Sequence, residues 1–209
     1  MTHVIAAGRV QHWDAVEEAP PRKVRPDEQA LQALERGDRR AALVILMSAY
    51  GADIHRYCYK ILRNRTAADD VHQLVFIQAF ESFGSYSGGS SLRTWLYGIA
   101  NHRCLDACKV NRRWFHRFKL GTETHDEVDP APSGEDRVVA KNVVEALDGC
   151  LEKLEPHVRI AVILRYQEGF SYEQMAQICQ EKPATLQARV ARAMPLLRRC
   201  LENKGVDLR

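Results

Sequence analysis

The sequence predicts an all-α protein: two small helical domains joined by an acidic flexible linker, the second a helix-turn-helix domain. Three observations predict it. Apolar residues recur at steps of three and four along most of the chain, and no stretch alternates apolar with polar as a half-buried strand would. Residues 121–136 break that rhythm: Glu123, Asp126, Glu127, Asp129, Glu135 and Asp136 accompany Pro130, Pro132, Ser133 and Gly134, a composition suited to a charged, extended connection. Residues 171–201 run as short helix, tight polar turn and basic amphipathic helix. The resulting divisions are an irregular tail over 1–27, a first domain over 28–119, the linker over 120–137 and a second domain over 138–204.

The totals narrow the class. With 209 residues the chain suits one larger domain or two small ones, and a net charge of only +3 does not by itself announce nucleic acid. The basic residues are unevenly placed, which matters more. Six cysteines without a CxxC pair argue against a zinc ribbon. Residues 1–13 hold no apolar run of signal-peptide length, and nothing approaches a membrane span. The expectation is a soluble cytoplasmic protein with reduced thiols and no membrane insertion.

Each element follows from local chemistry. The tail holds Pro20, Pro21 and Pro26 beside Arg22, Lys23 and Arg25, and its His3 and His12 are too scattered for a metal site. A short helix over 28–36 stops at Gly37. A longer one over 39–63 turns Leu43, Leu46, Tyr50, Ile54, Tyr57 and Cys58 to one side, with Gly51 a place to bend. Thr66 is the expected cap of a helix over 67–83. Val71, Val75, Ala79 and Phe83 face inward there. Asp70, Gln73, Ile77 and Glu81 form the outer strip, flanked by Asp69 and Leu74, and acidic residues around an aliphatic suit a basic partner. Asp69 and Asp70 near the helix start would also favour its dipole.

Residues 84–91, Gly-Ser-Tyr-Ser-Gly-Gly-Ser-Ser, read as a loop of small hydroxyls around Tyr86. The helix from Leu92 carries Trp95, Leu96, Tyr97 and Ile99. It then turns basic, with Arg103, Lys109, Arg112, Arg113, Arg117 and Lys119 interleaved with Trp114, Phe115 and Phe118. Cations beside aromatics suit single-stranded nucleic acid, where phosphates meet charges and exposed bases stack. Cys104 and Cys108 share a face but lack further ligands, so packing is the simpler role.

In the second domain, Val138, Val143, Val144, Leu147, Leu151 and Leu154 give the first helix, and 159–167 the second. Ser171-Tyr-Glu-Gln174 is a capping box, since serine hydroxyl and glutamine amide each satisfy a backbone N–H. After the turn, Pro183 stands near the first helical position. Leu186, Val190, Ala193, Leu197 and Leu201 make one apolar stripe, while Thr185, Arg189 and Arg192 share a neighbouring face.

The chain resembles the extracytoplasmic-function group of bacterial sigma factors, in the sigma-70 family. The resemblance rests on Ala68-Asp-Asp-Val-His-Gln-Leu-Val-Phe76, on Phe83 through Ser91-Leu-Arg-Thr-Trp-Leu-Tyr-Gly-Ile-Ala-Asn101, on Leu164 through Ala176 and on Thr185 through Arg192, in the family's order across an acidic linker. It implies a transcription initiation factor that binds core RNA polymerase and has no catalytic residue, cofactor or metal of its own. By resemblance, Asp69, Asp70, Gln73 and Ile77 dock on the polymerase. Tyr86, Ser87, Ser90 and Ser91 capture a flipped base of the single-stranded −10 element, and Trp95, Asn101, Arg103, Lys109, Arg112 and Arg113 lie along it. Thr185, Gln187, Arg189 and Arg192 read duplex −35 DNA, and an anti-sigma factor is an expected partner. The chain departs from the family at Leu74, often acidic; at Gln180, usually glycine; and at Gln187 and Met194, often basic. Pro195 removes a backbone bond within the last helix. The rivals are a stand-alone DNA-binding regulator, which would bind duplex DNA without polymerase, and an enzyme or metal sensor built on the His and Cys residues.

Overall fold

Apart from the helix at Glu135–Glu152, each α-helix begins where a side chain or a proline disposes of its first amides. The computed structural model describes residues 25–118 and 135–206, with backbone alone for 111–118 and 135–142. Among the described residues there is no strand. Most of the expected tail and linker therefore lie outside the described residues, as do the side chains of Arg112, Arg113, Trp114, Phe115, Arg117 and Phe118 and all of Lys119.

Helix α1 (Pro26–Glu35) has Pro26 at its first position, and the Glu28 carboxylate accepts from the Arg25 side chain at 3.0 Å. Asp38 caps α2 (Arg39–Leu62) by accepting from the Ala41 amide at 2.9 Å. The helix runs unbroken through Gly51, whose carbonyl accepts from His72 at 3.1 Å. Arg63 then turns left-handed (φ 54°), and Asn64, rather than Thr66, caps α3 (Arg65–Ser82) by accepting from the Ala67 amide at 2.8 Å. The earlier start moves Asp69 and Asp70 out of the first turn, so the helix dipole no longer accounts for them. After a 3-10 turn at Phe83–Ser85, Ser91 accepts from the Thr94 amide at 3.0 Å and opens α4 (Leu92–Phe118).

The second half comprises α5 (Glu135–Glu152), α6 (Pro156–Val162), α7 (Tyr172–Cys179) and α8 (Pro183–Glu202). Between α6 and α7, Ile163–Gln167 is a π-turn, closed by the Glu168 amide on the Ile163 carbonyl at 3.0 Å. The capping box forms as read: Ser171 accepts from the Gln174 amide at 3.2 Å, and Gln174 accepts from the Ser171 amide at 2.9 Å. Gln180 ends α7 left-handed (φ 55°), the conformation usually left to glycine. Helix α8 continues through Pro195.

The two halves share one core. Ile54, Tyr57 and Val75 from the first half are buried in the same cluster as Phe170, Met175 and Leu186 from the second. α7 lies on α4, and Tyr97 and Phe170 meet edge to face at 4.9 Å. A satellite core of Cys150, Leu151, Val162, Ala193 and Leu197 joins α5 to α8. Here one expectation fails: Cys150 and Cys200 are disulfide-bonded rather than reduced, because helix packing brings their Cα atoms to 5.9 Å. Cys58, Cys104, Cys108 and Cys179 remain free thiols.

Arg159 ties the halves together. It is 8% exposed and donates to the Leu151, Glu152 and Leu154 carbonyls at the end of α5. It also donates to the Ile61 carbonyl at the end of α2, 2.8 Å away. A cation facing two helix C-termini is favoured by both dipoles and removes orphan acceptors. Burial lowers its pKa from the usual arginine value.

Candidate nucleic-acid interface

Three surfaces carry the residues singled out in the sequence. The first is the outer face of α3. Asp69, Asp70 and Gln73 are exposed, as are Leu74 (44%) and Ile77 (54%), and together they form an acidic strip with an aliphatic ridge. Asp69 is engaged by His55 at 2.7 Å.

The second is the Ser/Gly loop and the first turns of α4. Phe83, Trp95 and Tyr86 form an aromatic stair: Trp95 stacks on Phe83 at 5.7 Å and meets the Tyr86 ring edge-on at 5.5 Å. The Tyr86 hydroxyl donates to the Ser90 carbonyl, which closes the loop on itself. Burial raises the Tyr86 pKa, so the hydroxyl stays a donor. Ser91 is spent on the α4 cap, while Ser87 is exposed. Gly88 has φ +77°, a backbone that a side chain would strain. A cleft of about 550 Å³ opens beside this loop, within the usual range of small-ligand pockets, roughly 300–1,000 Å³. Arg25, Tyr50 and Arg93 line it from the first half, and Phe170 and Gln174 from the second.

Further along α4 the expected residues diverge. Lys109 is exposed and pairs with Asp106 at 3.0 Å. Arg103 donates to Gln78 at 2.7 Å. Asn101 is only 4% exposed: its amide donates to the Ile178 carbonyl at 3.3 Å and its oxygen accepts from Tyr57 at 3.3 Å. It therefore faces α7 rather than solvent. Arg112 and Arg113 have no described side chains.

The third surface is the start of α8. Thr185, Gln187 and Arg192 are exposed on it. Arg189 is held back by Glu181, with two bonds at 2.8 and 2.6 Å in a fork-to-carboxylate geometry. The pair lowers the Glu181 pKa and raises that of Arg189, two shifts that agree.

Sequence reasoning missed the contact between α4 and the turn that leads into α7. Arg93 stacks on Phe170 (4.1 Å to the ring centre) and donates to the Glu168 carbonyl at 2.8 Å. Its guanidinium also lies 3.6 Å from the Glu168 carboxylate, and the Tyr97 hydroxyl donates to that carboxylate. Burial, then this bond, pushes the Tyr97 pKa far up, so the proton stays on tyrosine. A signal existed: Arg93, Tyr97 and Asn101 stand at steps of four, a polar stripe on a helix face that should be apolar.

Among the described residues, no three His, Cys, Asp or Glu side chains converge as a metal site. No described helix is long and apolar enough to cross a membrane.

Comparison with known proteins adds names to these surfaces. Residues 46–114 match the family model of sigma-70 region 2, and residues 144–197 that of sigma-70 region 4. The RNA polymerase sigma-H factor of Pseudomonas aeruginosa is 27% identical over 191 residues, spanning 84% of this chain and 94% of that protein. The ECF RNA polymerase sigma factor SigX of Bacillus subtilis is 24% identical over 161 residues, 76% of this chain and 82% of the relative. Two solved structures share the fold. The sigma factor RpoE of Bartonella quintana, in complex with the anti-sigma factor NepR, has a TM-score of 0.63 at 23% identity, covering 75% of this chain and 94% of that one. CnrH, in complex with the cytosolic domain of CnrY, has a TM-score of 0.59 at 21% identity, covering 85% and 97%.

Proposed function

From the premise that the chain belongs to the extracytoplasmic-function group of the sigma-70 family, we propose how its two halves divide the work of promoter recognition. It is a transcription initiation factor that binds core RNA polymerase and directs it to promoter DNA. We assign residues 28–119 to polymerase and −10 binding, 138–204 to −35 binding and 120–137 to the connection. The observation that carries this assignment is the order of three surfaces along one chain: the α3 strip, the aromatic-backed loop and the α8 face.

In this reading Asp70, Gln73, Leu74 and Ile77 form the polymerase contact, with Asp69 joining once His55 releases it. The loop from Tyr86 to Ser91 takes a flipped −10 base. Extrusion costs a few kcal/mol, which stacking near Tyr86 and Trp95 and phosphate contacts from Arg103, Lys109, Arg112 and Arg113 offset. Thr185, Gln187, Arg189 and Arg192 read the −35 duplex from the major groove. The protein performs no chemistry itself in this scheme; bond formation belongs to the polymerase. It acts in the cytoplasm, and the anti-sigma partners of the two solved neighbours extend to this chain as an expected class of inhibitor.

The arrangement described above is the form that waits. Phe170 and Gln174 stand over the loop cleft, Asn101 is occupied by α7 and Arg189 by Glu181. Promoter binding therefore requires α7 to leave α4, which frees Arg93 and Asn101 for the −10 strand. Run-off transcription with bacterial core polymerase on a pool of genomic promoter fragments tests the reading. Discrete start sites that depend on the protein are expected. Duplex binding without any start would replace it with a stand-alone regulator.

A further inference from the structure

We propose that Cys150 and Cys200 are a reversible thiol–disulfide pair that clasps α5 to α8, with low-molecular-weight disulfides of the glutathione class as its oxidant. The proposal rests on the reading above for its compartment: in a reducing cytoplasm a disulfide is made and broken rather than permanent.

Position favours reversibility. Cys150 is 1% exposed, whereas Cys200 is only half-buried near the end of α8. An external thiolate therefore reaches the Cys200 sulfur. Exposed Arg199 neighbours it in sequence, and the Lys204 ammonium lies 2.8 Å from where a Cβ on Gly149 would stand, beside Cys150. Cations in this neighbourhood attract an anionic tripeptide.

Position also gives the bond a mechanical role. Arg159 pins the last carbonyls of α5. Upstream, α5 turns Val143 (39%), Val144 (55%) and Leu147 (37%) largely to solvent. Leu147 and Leu151 form one wall of an apolar groove of about 920 Å³, and Leu197 and Leu201 of α8 line it too. The disulfide spans those walls. Once it breaks, the end of α5 is still held by Leu151 and by Asp148 and Glu152 paired with Lys60 and Arg63, while the stretch before Asp148 can swing.

The chemistry balances with two equivalents of thiol. On reduction, a thiolate attacks the Cys200 sulfur, the bond to Cys150 breaks, and Cys150 leaves as a thiolate and takes a proton. A second thiolate attacks the external sulfur of the mixed disulfide and releases Cys200. The two added thiols are oxidised to one disulfide, and the protein cystine is reduced to two thiols. Oxidation by glutathione disulfide runs the same steps in reverse.

The test is a redox titration of the full chain in glutathione buffers, read by thiol labelling and by amide exchange. The pair should pass from reduced to oxidised within the buffer series. Amides of residues 143–150 should exchange about tenfold faster when it is reduced. Affinity for −35 duplex should change less than about twofold, because Leu186 and Val190 seat the reading half of α8 in the main core. Cys200→Ser should match the reduced chain. Should that variant fold poorly, the reduced wild type supplies the same comparison. A pair that stays oxidised in the most reducing buffer, one that never oxidises, or α5 exchange indifferent to redox state would each overturn the proposal. Run-off with the reduced chain separates the two readings: absence of start sites there counts against the sigma assignment and leaves the thiol titration standing.

Discussion

Two helix seams in this molecule are built from opposite materials. Where α4 meets α7, the specific contacts are non-covalent and exchangeable: Arg93 and Tyr97 on Glu168, Asn101 on the Ile178 carbonyl, Phe170 against the Tyr97 ring and the Arg93 guanidinium. Where α5 meets α8, a disulfide bridges a small apolar core and a buried arginine closes the end. Phosphate, water or a base can substitute for every polar partner in the first seam. Nothing in solution except a thiol or other reductant substitutes for the bridge in the second. The difference teaches that, in the proposed reading, the first seam parts when promoter DNA competes for its polar groups, while the second answers only to redox chemistry.

The largest way to break this contrast is Arg159→Met, because Arg159 serves both halves. It leaves four carbonyls without their cation and should cost about 3–4 kcal/mol, seen as a lower urea midpoint. A loss below about 1 kcal/mol would mean that water replaces the guanidinium and that the halves are held by their other contacts.

Glu168→Ala should act on the exchangeable seam only. Losing the Tyr97 bond and the Arg93 pair weakens the closed form by about 1–2 kcal/mol. Every 1.4 kcal/mol raises the open fraction about tenfold. Single-stranded −10 oligonucleotide should therefore bind roughly 5–30-fold more tightly, and energy transfer between dyes on the two halves should fall. Unchanged oligonucleotide affinity would show that the seam does not gate the strand.

Gln180→Gly sharpens the comparison from within the second half. It removes left-handed strain at the end of α7 and should stabilise the protein by about 0.5–1 kcal/mol, with both seams intact. The smallest effect concerns pH. The Arg189 partner holds the Glu181 pKa below its ordinary value of 4.5. The pair's stabilisation is thus fully present above pH 4.5 and is lost as pH falls through the lower folded value. The pair is partly solvated, so the loss should stay under about 1 kcal/mol, and Glu181→Gln should abolish that part of the acid sensitivity.

Legibility in the sequence tracks the range of the forces. Period and caps are local, so the helices and the Ser171–Gln174 box were readable residue by residue, whereas the left-handed turn at Gln180 was suggested only by the glycine usual there in the family. Asn64 displaced Thr66 as a cap because Arg63 turns left-handed one residue earlier, a choice between two good capping residues that composition does not make. The partners at longer range were not legible: the polar stripe of Arg93, Tyr97 and Asn101 marks a contact without saying what meets it. Cys150 and Cys200 are 50 residues apart, and Arg93 and Glu168 are 75. The acidic strip of α3 was legible because it stays on one exposed helix face, whereas Asn101 was read as a surface residue and is covered by a helix from the other half.

The π-turn at Ile163–Gln167 works as a phase adjuster. An α-helix advances 3.6 residues per turn, so each residue added or removed rotates the downstream chain by about 100°. The i→i+5 closure at Glu168 accommodates one extra residue where a regular turn would close on the fourth. It is the spare tooth that aims Glu168 and Phe170 at Arg93 while Ile163 and Leu164 remain in the core. Deleting Tyr166 or Gln167 would keep the helix and its composition, yet turn the latch away from its keeper by more than a quarter of a circle. In this protein, then, the setting of the interdomain contact is written in the count of residues through one turn as much as in their identity.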